Sequence, residues 1–222
     1  MSLKLSNDIK AEAKRLGFFA CGIAKAAPVE PDTAADVVRW LDNECFAEMA
    51  YMNNYTDKRL NPQLLMPGLK SIVCVAMSYA PAQRMPEGQY QLASYAYGQD
   101  YHEVVKGKLR QLAAHFGFEP YIEEGVSHST SVADSAPRYR AFCDSAPILE
   151  RYWAVKAGLG WIGKNSLLIN KQFGSMTFIG TLFVDIPLCY NTHIVPDGCG
   201  NCRRCMDACP TQAIVAPRVI DA

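Results

Sequence analysis

Four cysteines near the end of the sequence have the spacing with the clearest chemistry. They are Cys199, Cys202, Cys205 and Cys209, and Pro210 follows the last of them. The pattern C-x2-C-x2-C-x3-C-P is typical of iron–sulfur ligands, in which three thiolates reach one [4Fe–4S] cube and the fourth ligates a second cube. A structural zinc site and a disulfide pair are the alternatives. Zinc sites more often have two separated C-x2-C pairs, and nothing in the sequence indicates the oxidising compartment that disulfides need.

This cysteine run does not complete either cube by itself. Cys199, Cys202 and Cys205 have no obvious fourth ligand, and Cys209 has no three partners, because the sequence contains no second cysteine run. Cys189 is the only spare cysteine nearby. Either a partner completes the site or the sequence is a fragment of a longer protein, and we expect the fragment.

Asp144, in the segment 144–151, is a candidate for acid chemistry. Its apolar neighbours predict that the carboxyl is desolvated, which favours the protonated form that a general acid needs. The alternative is that Asp144 caps the following helix, as Asp often does. The same four residues, Asp-Ser-Ala-Pro, occur at 134–137, where no helix is predicted to follow, and we treat that copy as coincidence.

A glycine-rich turn is the third candidate and contains Gly158, Gly160, Gly163, Lys164 and Asn165. Its spacing is not that of a phosphate-binding loop, and it follows a predicted helix rather than the strand that a dinucleotide-binding turn follows. One explanation is a helix-to-strand turn that needs positive φ angles. The other is close approach of the backbone to a large flat ligand, with polar contacts from the lysine or the asparagine.

The composition indicates an ordinary globular protein. Of the 222 residues, 50% are hydrophobic and 20% are charged, which is enough for a sizeable core. The 22 basic and 22 acidic side chains balance, so charge alone gives no sign of a nucleic-acid partner. No apolar run is long enough to span a membrane, and the first residues contain no signal-peptide segment. We therefore expect a cytoplasmic protein without membrane contact.

The elements that must position these residues are helices and strands in irregular order. The predicted helices are 6–16, capped by Ser6, one capped by Asp32, 102–116, capped by Asp100, and 147–157. The predicted strands are 18–24, 72–77, 119–123, 166–169 and 176–185, the last two around a turn at 174–175. The segment 127–137 is interpreted as an exposed or ligand-facing loop. Because helices and strands do not alternate, the pattern favours α+β over doubly wound α/β.

Taken in order, these segments resemble the epoxyqueuosine reductases. The matching segments are 58–62, 95–102, 144–151, 157–165, 174–185 and 199–213. The resemblance implies a nitroreductase-like α+β fold with a mixed or antiparallel sheet. It also implies a cobalamin-binding domain at 1–188 and a partial ferredoxin-like [4Fe–4S] segment at 189–222.

The function implied by this resemblance is reduction of epoxyqueuosine to queuosine in tRNA, with cobalamin that is reduced through iron–sulfur clusters. The implied partners of the full-length enzyme are the tRNA and an external electron donor, and we expect a monomer. One alternative is another cobalamin-dependent reductase, such as one for reductive dehalogenation. The other is a non-catalytic protein that transfers electrons or binds cobalamin.

The resemblance also assigns roles to residues. Asp144 would be the proton donor to the epoxide-derived oxygen, because Ile-Leu-Glu-Arg follows it as in the family, which is not the case for Asp134. The residues implied to surround the corrin are Arg59, Tyr101, His102, Asp144, Gly158, Gly160, Gly163, Lys164, Asn165, Leu168 and Ile179. The cluster ligands would be Cys199, Cys202 and Cys205 for one cube and Cys209 for the other.

Overall fold

The computed structural model describes residues 3–122 and 136–222 of the chain. The α-helices in these ranges are α1 (Leu3–Arg15), α2 (Pro31–Asp42), α3 (Thr56–Leu60), α4 (Tyr101–His115), α5 (Glu150–Lys156) and α6 (Arg204–Asp207). The strands are β1 (Ala20–Lys25), β2 (Ser71–Ser78), β3 (Glu119–Pro120), β4 (Arg138–Phe142), β5 (Trp161–Ile162), β6 (Leu168–Ile169), β7 (Thr177–Val184), β8 (Ile214–Ala216) and β9 (Val219–Ile220). Short 3-10 helices lie at Ala50–Asn53, Pro62–Leu64 and Ser94–Ala96.

One five-stranded sheet organises the chain, in the order β1-β2-β7-β4-β3. Neighbouring strands are antiparallel, except that β3 and β4 run parallel. The longest pairing joins β2 to β7, from Ser71 opposite Val184 to Ser78 opposite Thr177. The pairs β5–β6 and β8–β9 form separate two-stranded sheets. This mixed sheet with helices confirms the predicted α+β class.

The central strand β2 is buried on both faces. Because side chains alternate along a strand, Ile72 and Cys74 enter an apolar cluster that includes residues of α5. Val73 and Val75 enter a second cluster, with residues of α1 and α4. The continuous apolar run of this segment predicts such double burial. Helices α4 and α5 therefore cover opposite faces of the sheet.

The N-terminal ends of the helices show which caps the local sequence predicts correctly. Asp100 caps α4 as predicted, because its Oδ1 accepts a hydrogen bond from the backbone N–H of His102 at 2.9 Å. Ser6 does not cap α1, which begins at Leu3. Asp32 does not cap α2 either, because it lies in the first turn of that helix and the N-cap position is Glu30, with no side-chain cap. Ser6 is buried within α1, and its hydroxyl accepts from the backbone N–H of Cys189 at 2.8 Å. A partner far along the chain thus explains the serine.

The predicted strands at 166–169 and 176–185 exist as β6 and β7 but do not pair with each other. Strand β6 pairs with β5, and β7 pairs with β2 and β4. The predicted strand at 119–123 is observed as Glu119–Pro120. Most of the predicted loop at 127–137, including Asp134, lies outside the described residues. Within the described ranges, no helix is both long and apolar enough to cross a membrane.

Candidate functional site

Asp144 lies where elements from both faces of the sheet meet. It follows the end of β4 and precedes α5. Its carboxylate Oδ2 accepts a hydrogen bond of 2.7 Å from the hydroxyl of Tyr101, the first residue of α4. Its backbone N–H donates to the two carboxyl oxygens of Glu150, the first residue of α5, at 3.2 and 3.1 Å. The two helices therefore hold this aspartate from opposite sides.

Two expectations about Asp144 are wrong. The carboxyl was expected to be desolvated by its neighbours in sequence, but the residue is exposed. It also does not cap α5, because the residue before that helix is Leu149 and no side chain caps it. Instead Asp144 has φ +52°, a left-handed conformation that is strained for a residue with a side chain. This conformation is held by the hydrogen bonds to Glu150.

Glu150 is the buried carboxyl of the site. Its side chain is 9% exposed. Burial, and next the charge of the neighbouring Asp144, raise the pKa of Glu150 well above its usual value. The sequence did not single out Glu150, because a glutamate in the first turn of a helix is ordinarily exposed and stabilised by the helix dipole. Its burial depends on the packing of α5 against the sheet, which leaves no local pattern.

Aromatic rings form a wall beside Asp144. The ring of Tyr101 stacks on Phe178 of β7 with centroids 4.1 Å apart and on His102 at 4.0 Å. Burial, and next the hydrogen bond and charge of Asp144, raise the pKa of Tyr101, so its hydroxyl keeps the proton that it donates. The His102 Nδ1 lies 2.7 Å from Asp100 Oδ1.

A pocket of about 300 Å³ opens against this aromatic wall. Its lining combines aromatic rings with a few hydroxyl and amide groups. The lining residues are Met77, Ser78, Tyr79, Pro81, Ser94, Tyr97, Gln99, Tyr101, Val104 and Phe178. Such a surface suits a planar ligand that stacks on rings and forms a small number of hydrogen bonds.

Arg59, Leu168 and Ile179 lie in other surroundings. The guanidinium of Arg59 donates to the carbonyl oxygens of Met52 and Asn54 at 3.3 and 3.4 Å, and burial lowers its pKa. Its Nε is buried and has no hydrogen-bond partner among the described residues. Leu168 is buried in β6, whereas Ile179 of β7 is partly buried beside the same apolar cluster. Within residues 3–122 and 136–222, no hydrogen bond or ring contact joins these three to Asp144.

The chain itself fills the space that the three glycines leave. Gly158 has φ +79°, which agrees with a turn that needs positive φ, and a Cβ there would lie 2.8 Å from the carbonyl oxygen of His193. A Cβ on Gly160 would lie 2.1 Å from the carbonyl oxygen of Ile169, and one on Gly163 would lie 2.3 Å from the Ile169 side chain. These contacts account for the glycines within the fold, and their contact with a corrin stays a prediction.

The two polar residues of the glycine turn have partners within the chain. Lys164 donates through Nζ to the carbonyl oxygens of Gly200 and Cys202, at 2.7 and 2.9 Å. The Asn165 side-chain oxygen accepts from the backbone N–H of Leu167 at 3.3 Å. The lysine therefore joins the glycine turn to the cysteine run.

The four cysteines of the run are unpaired thiols on a loop that includes α6. Within the described ranges, no three Cys, His, Asp or Glu side chains converge closely enough to hold a metal ion. The sulfur of Cys209 nevertheless has the surroundings of a ligand. The hydroxyl of Thr211, and next the backbone N–H groups that follow, lower the pKa of the Cys209 thiol. A thiolate that accepts such hydrogen bonds fits an iron–sulfur site.

Comparisons with known proteins identify the family. Residues 59–145 match the family described as epoxyqueuosine reductase QueG, DUF1730, and residues 192–215 match the 4Fe-4S binding domain. The epoxyqueuosine reductase of Cellulophaga algicola is 47% identical over 98% of this chain and 66% of its own length. The chain belongs to the epoxyqueuosine reductase family.

Members of the epoxyqueuosine reductase family with solved structures have the same fold. The enzyme of Streptococcus thermophilus matches with a TM-score of 0.80 and 27% identity, over 100% of this chain and 56% of that chain. An epoxyqueuosine reductase solved with an epoxyqueuosine-modified tRNA-Tyr stem loop matches with a TM-score of 0.80 and 25% identity, over 98% of this chain and 55% of that one. The chain thus spans between half and two thirds of the length of these relatives.

Several candidate site residues of this family member lie within the two segments that match family models. Arg59, Tyr101, His102 and Asp144 lie within the first matched segment, and the four cysteines lie within the second. The glycine turn lies between the two segments and contacts the second through Lys164.

Proposed function

We propose that this chain is part of an epoxyqueuosine reductase, an oxidoreductase that converts epoxyqueuosine in tRNA to queuosine. Membership of the family supports the proposal, as does the relative solved with an epoxyqueuosine-modified stem loop. Removal of an epoxide oxygen to leave an alkene consumes two electrons and two protons and releases water. The reaction therefore needs a reductant and a group that delivers protons to the oxygen.

The observation that carries the proposal is the presentation of Asp144. Its carboxyl is exposed beside the aromatic pocket, while Tyr101 holds one carboxylate oxygen and Glu150 holds the backbone. A fixed carboxyl at the edge of a stacking surface can deliver a proton to an oxygen of a bound ring substrate. In this proposal Asp144 takes up a proton from solvent and delivers it to the epoxide-derived oxygen, a second proton from solvent completes the water, and Tyr101 fixes the direction in which the carboxyl points.

Two cofactors complete the proposal. Cobalamin would supply the reducing centre, and [4Fe–4S] clusters would supply its electrons. The residues assigned to the corrin by resemblance include Arg59, whose buried Nε lacks a partner among the described residues and suits a polar ligand atom. The four thiols of the cysteine run fit cluster ligation by type and spacing. We retain the division into a nitroreductase-like cobalamin domain at 1–188 and a ferredoxin-like segment at 189–222.

The proposed partners follow from this reaction. The substrate is a tRNA that carries epoxyqueuosine, and an external donor supplies the electrons. Because the proposed substrate is a tRNA, we propose that the enzyme acts in the cytoplasm. We expect the full-length protein to act as a monomer.

Nucleoside mass spectrometry on the full-length protein tests the proposal. The protein is loaded anaerobically with cobalamin and clusters and incubated with a reductant and epoxyqueuosine-containing tRNA. We expect queuosine to appear, and we expect none when cobalamin is omitted. Absence of queuosine from fully loaded protein would contradict the proposed function. Saturable binding of cob(II)alamin without turnover would instead favour a cobalamin carrier.

A further inference from the structure

The glycine turn contacts a sulfur of the cysteine run directly. The indole N–H of Trp161 donates to Cys199 Sγ at 3.4 Å. The indole ring covers Gly198, where a Cβ would lie 2.8 Å from the ring. Three residues farther along, the Lys164 ammonium donates to two backbone carbonyl oxygens of the same loop. The side of the turn that faces the cysteines is therefore occupied by one aromatic donor and one cation.

Arg218 closes this arrangement from the other side. Its backbone N–H donates to the carbonyl oxygen of Lys164 at 2.9 Å, and its Nε donates to that of Ile162 at 3.1 Å. Its guanidinium also pairs with Asp197, whose carboxylate accepts the backbone N–H of Cys199 at 2.8 Å. The first cysteine is thus fixed through both its backbone and its sulfur.

We infer that Trp161 and Lys164 tune the iron–sulfur cluster that Cys199 would ligate, by donating a hydrogen bond to its sulfur and placing a positive charge beside its loop. This inference rests on the proposed function. A reduced cluster carries one more negative charge than an oxidised cluster. A donor to a ligating sulfur and a nearby cation therefore stabilise the reduced form more and raise the reduction potential. The turn would then set how readily this cluster accepts an electron.

A redox titration of the full-length protein, followed by electron paramagnetic resonance, tests the inference without any tRNA. The variant Trp161→Phe keeps an aromatic ring over Gly198 and removes the N–H. Trp40→Phe is the matched control, since the Trp40 indole donates to the carbonyl oxygen of Ile220 at 2.7 Å and not to a sulfur. We expect a more negative midpoint potential for Trp161→Phe than for the wild type, and an unchanged potential for Trp40→Phe.

Lys164→Met provides an independent variant. We expect it to lower the potential as well, whereas Lys108→Met, which removes an ammonium that donates to the carbonyl oxygen of Leu16, should not. Iron and sulfide are measured in each sample so that only loaded proteins are compared. If Trp161→Phe loads poorly, the isosteric analogue benzothienylalanine at position 161 removes the N–H and keeps the shape.

Equal potentials for wild type, Trp161→Phe and Lys164→Met at full iron content would overturn the inference and leave the proposed function intact. A full-length wild-type protein that binds no cluster after anaerobic reconstitution would overturn the proposed function, and the inference with it. A negative shift confined to the variants at 161 and 164 would support the inference.

Discussion

Replacement of Glu150 by alanine should impair the reaction without touching the substrate. The substitution removes both oxygens that accept the Asp144 N–H, at 3.2 and 3.1 Å. A hydrogen bond to a buried carboxyl is worth roughly 1–3 kcal/mol, and the left-handed conformation of Asp144 costs about 1–2 kcal/mol. We expect about 2 kcal/mol of positioning to be lost, which corresponds to a roughly 30-fold lower kcat. Cobalamin binding should not change.

Glu150→Gln is the matched control because it keeps an acceptor oxygen. Burial raises the pKa of Glu150, so the wild-type side chain holds a proton at pH values where an exposed glutamate has lost it. A neutral glutamine resembles that protonated form, and we expect a kcat within about threefold of the wild type.

The wild type and Glu150→Gln should also differ in how their stability depends on pH. Above the ordinary pKa of 4.5, unfolded wild-type protein loses the Glu150 proton while folded protein retains it. The folded state therefore binds more protons, and its free energy of unfolding falls as the pH rises from 4.5 toward the raised pKa. The slope from this group is at most about 1.4 kcal/mol per pH unit. Glu150→Gln lacks this contribution, so its free energy of unfolding should rise relative to that of the wild type as the pH rises.

Single-turnover kinetics on loaded full-length protein and urea unfolding at several pH values measure these effects. A folded Glu150→Ala protein with wild-type kcat would refute the positioning role. Parallel pH profiles of unfolding for wild type and Glu150→Gln would refute the reasoning about the buried carboxyl.

Two further predictions concern the hydroxyl of Tyr101 and the glycine turn. Tyr101→Phe keeps the stacking but removes the 2.7 Å hydrogen bond to Asp144. In steady-state assays we expect kcat to fall about fivefold with KM unchanged. An unaltered kcat would contradict this expectation. Gly160→Ala should lower the free energy of unfolding by about 3 kcal/mol, because its Cβ would lie 2.1 Å from the Ile169 carbonyl oxygen. The control Gly107→Ala, whose Cβ enters open space on α4, should not destabilise the protein. Equal urea midpoints for the two variants would refute the argument.

The sequence predicts those elements whose signals are local. The buried strand β2 follows from an unbroken apolar run. Helix α4 follows from its cap Asp100 and from Gly117, a glycine with positive φ just after its end. Cysteine spacing likewise predicts the cluster type because the ligands lie close together in the chain.

Features that depend on distant residues could not be predicted. Ser6 has the type of a helix cap, yet its partner is Cys189, far along the chain. Asp144 has apolar neighbours in the sequence, yet in the structure its backbone has a positive φ and its side chain is exposed. Glu150 becomes buried only when α5 packs on the sheet. Likewise, the spacing of the glycines at 158–163 does not show whether the space beside Gly160 and Gly163 is filled by a ligand or by Ile169 of the same chain.

Single-turnover reduction by Asp144→Asn tests the central claim most directly. The variant keeps the size of the side chain and an acceptor for Tyr101 but cannot deliver the proton. The full-length wild type and variant are loaded equally with clusters and cobalamin, and queuosine formation is followed by nucleoside mass spectrometry. The account predicts a loss of at least about 100-fold for the variant. Formation of queuosine at the wild-type rate would contradict the role of Asp144 as the acid.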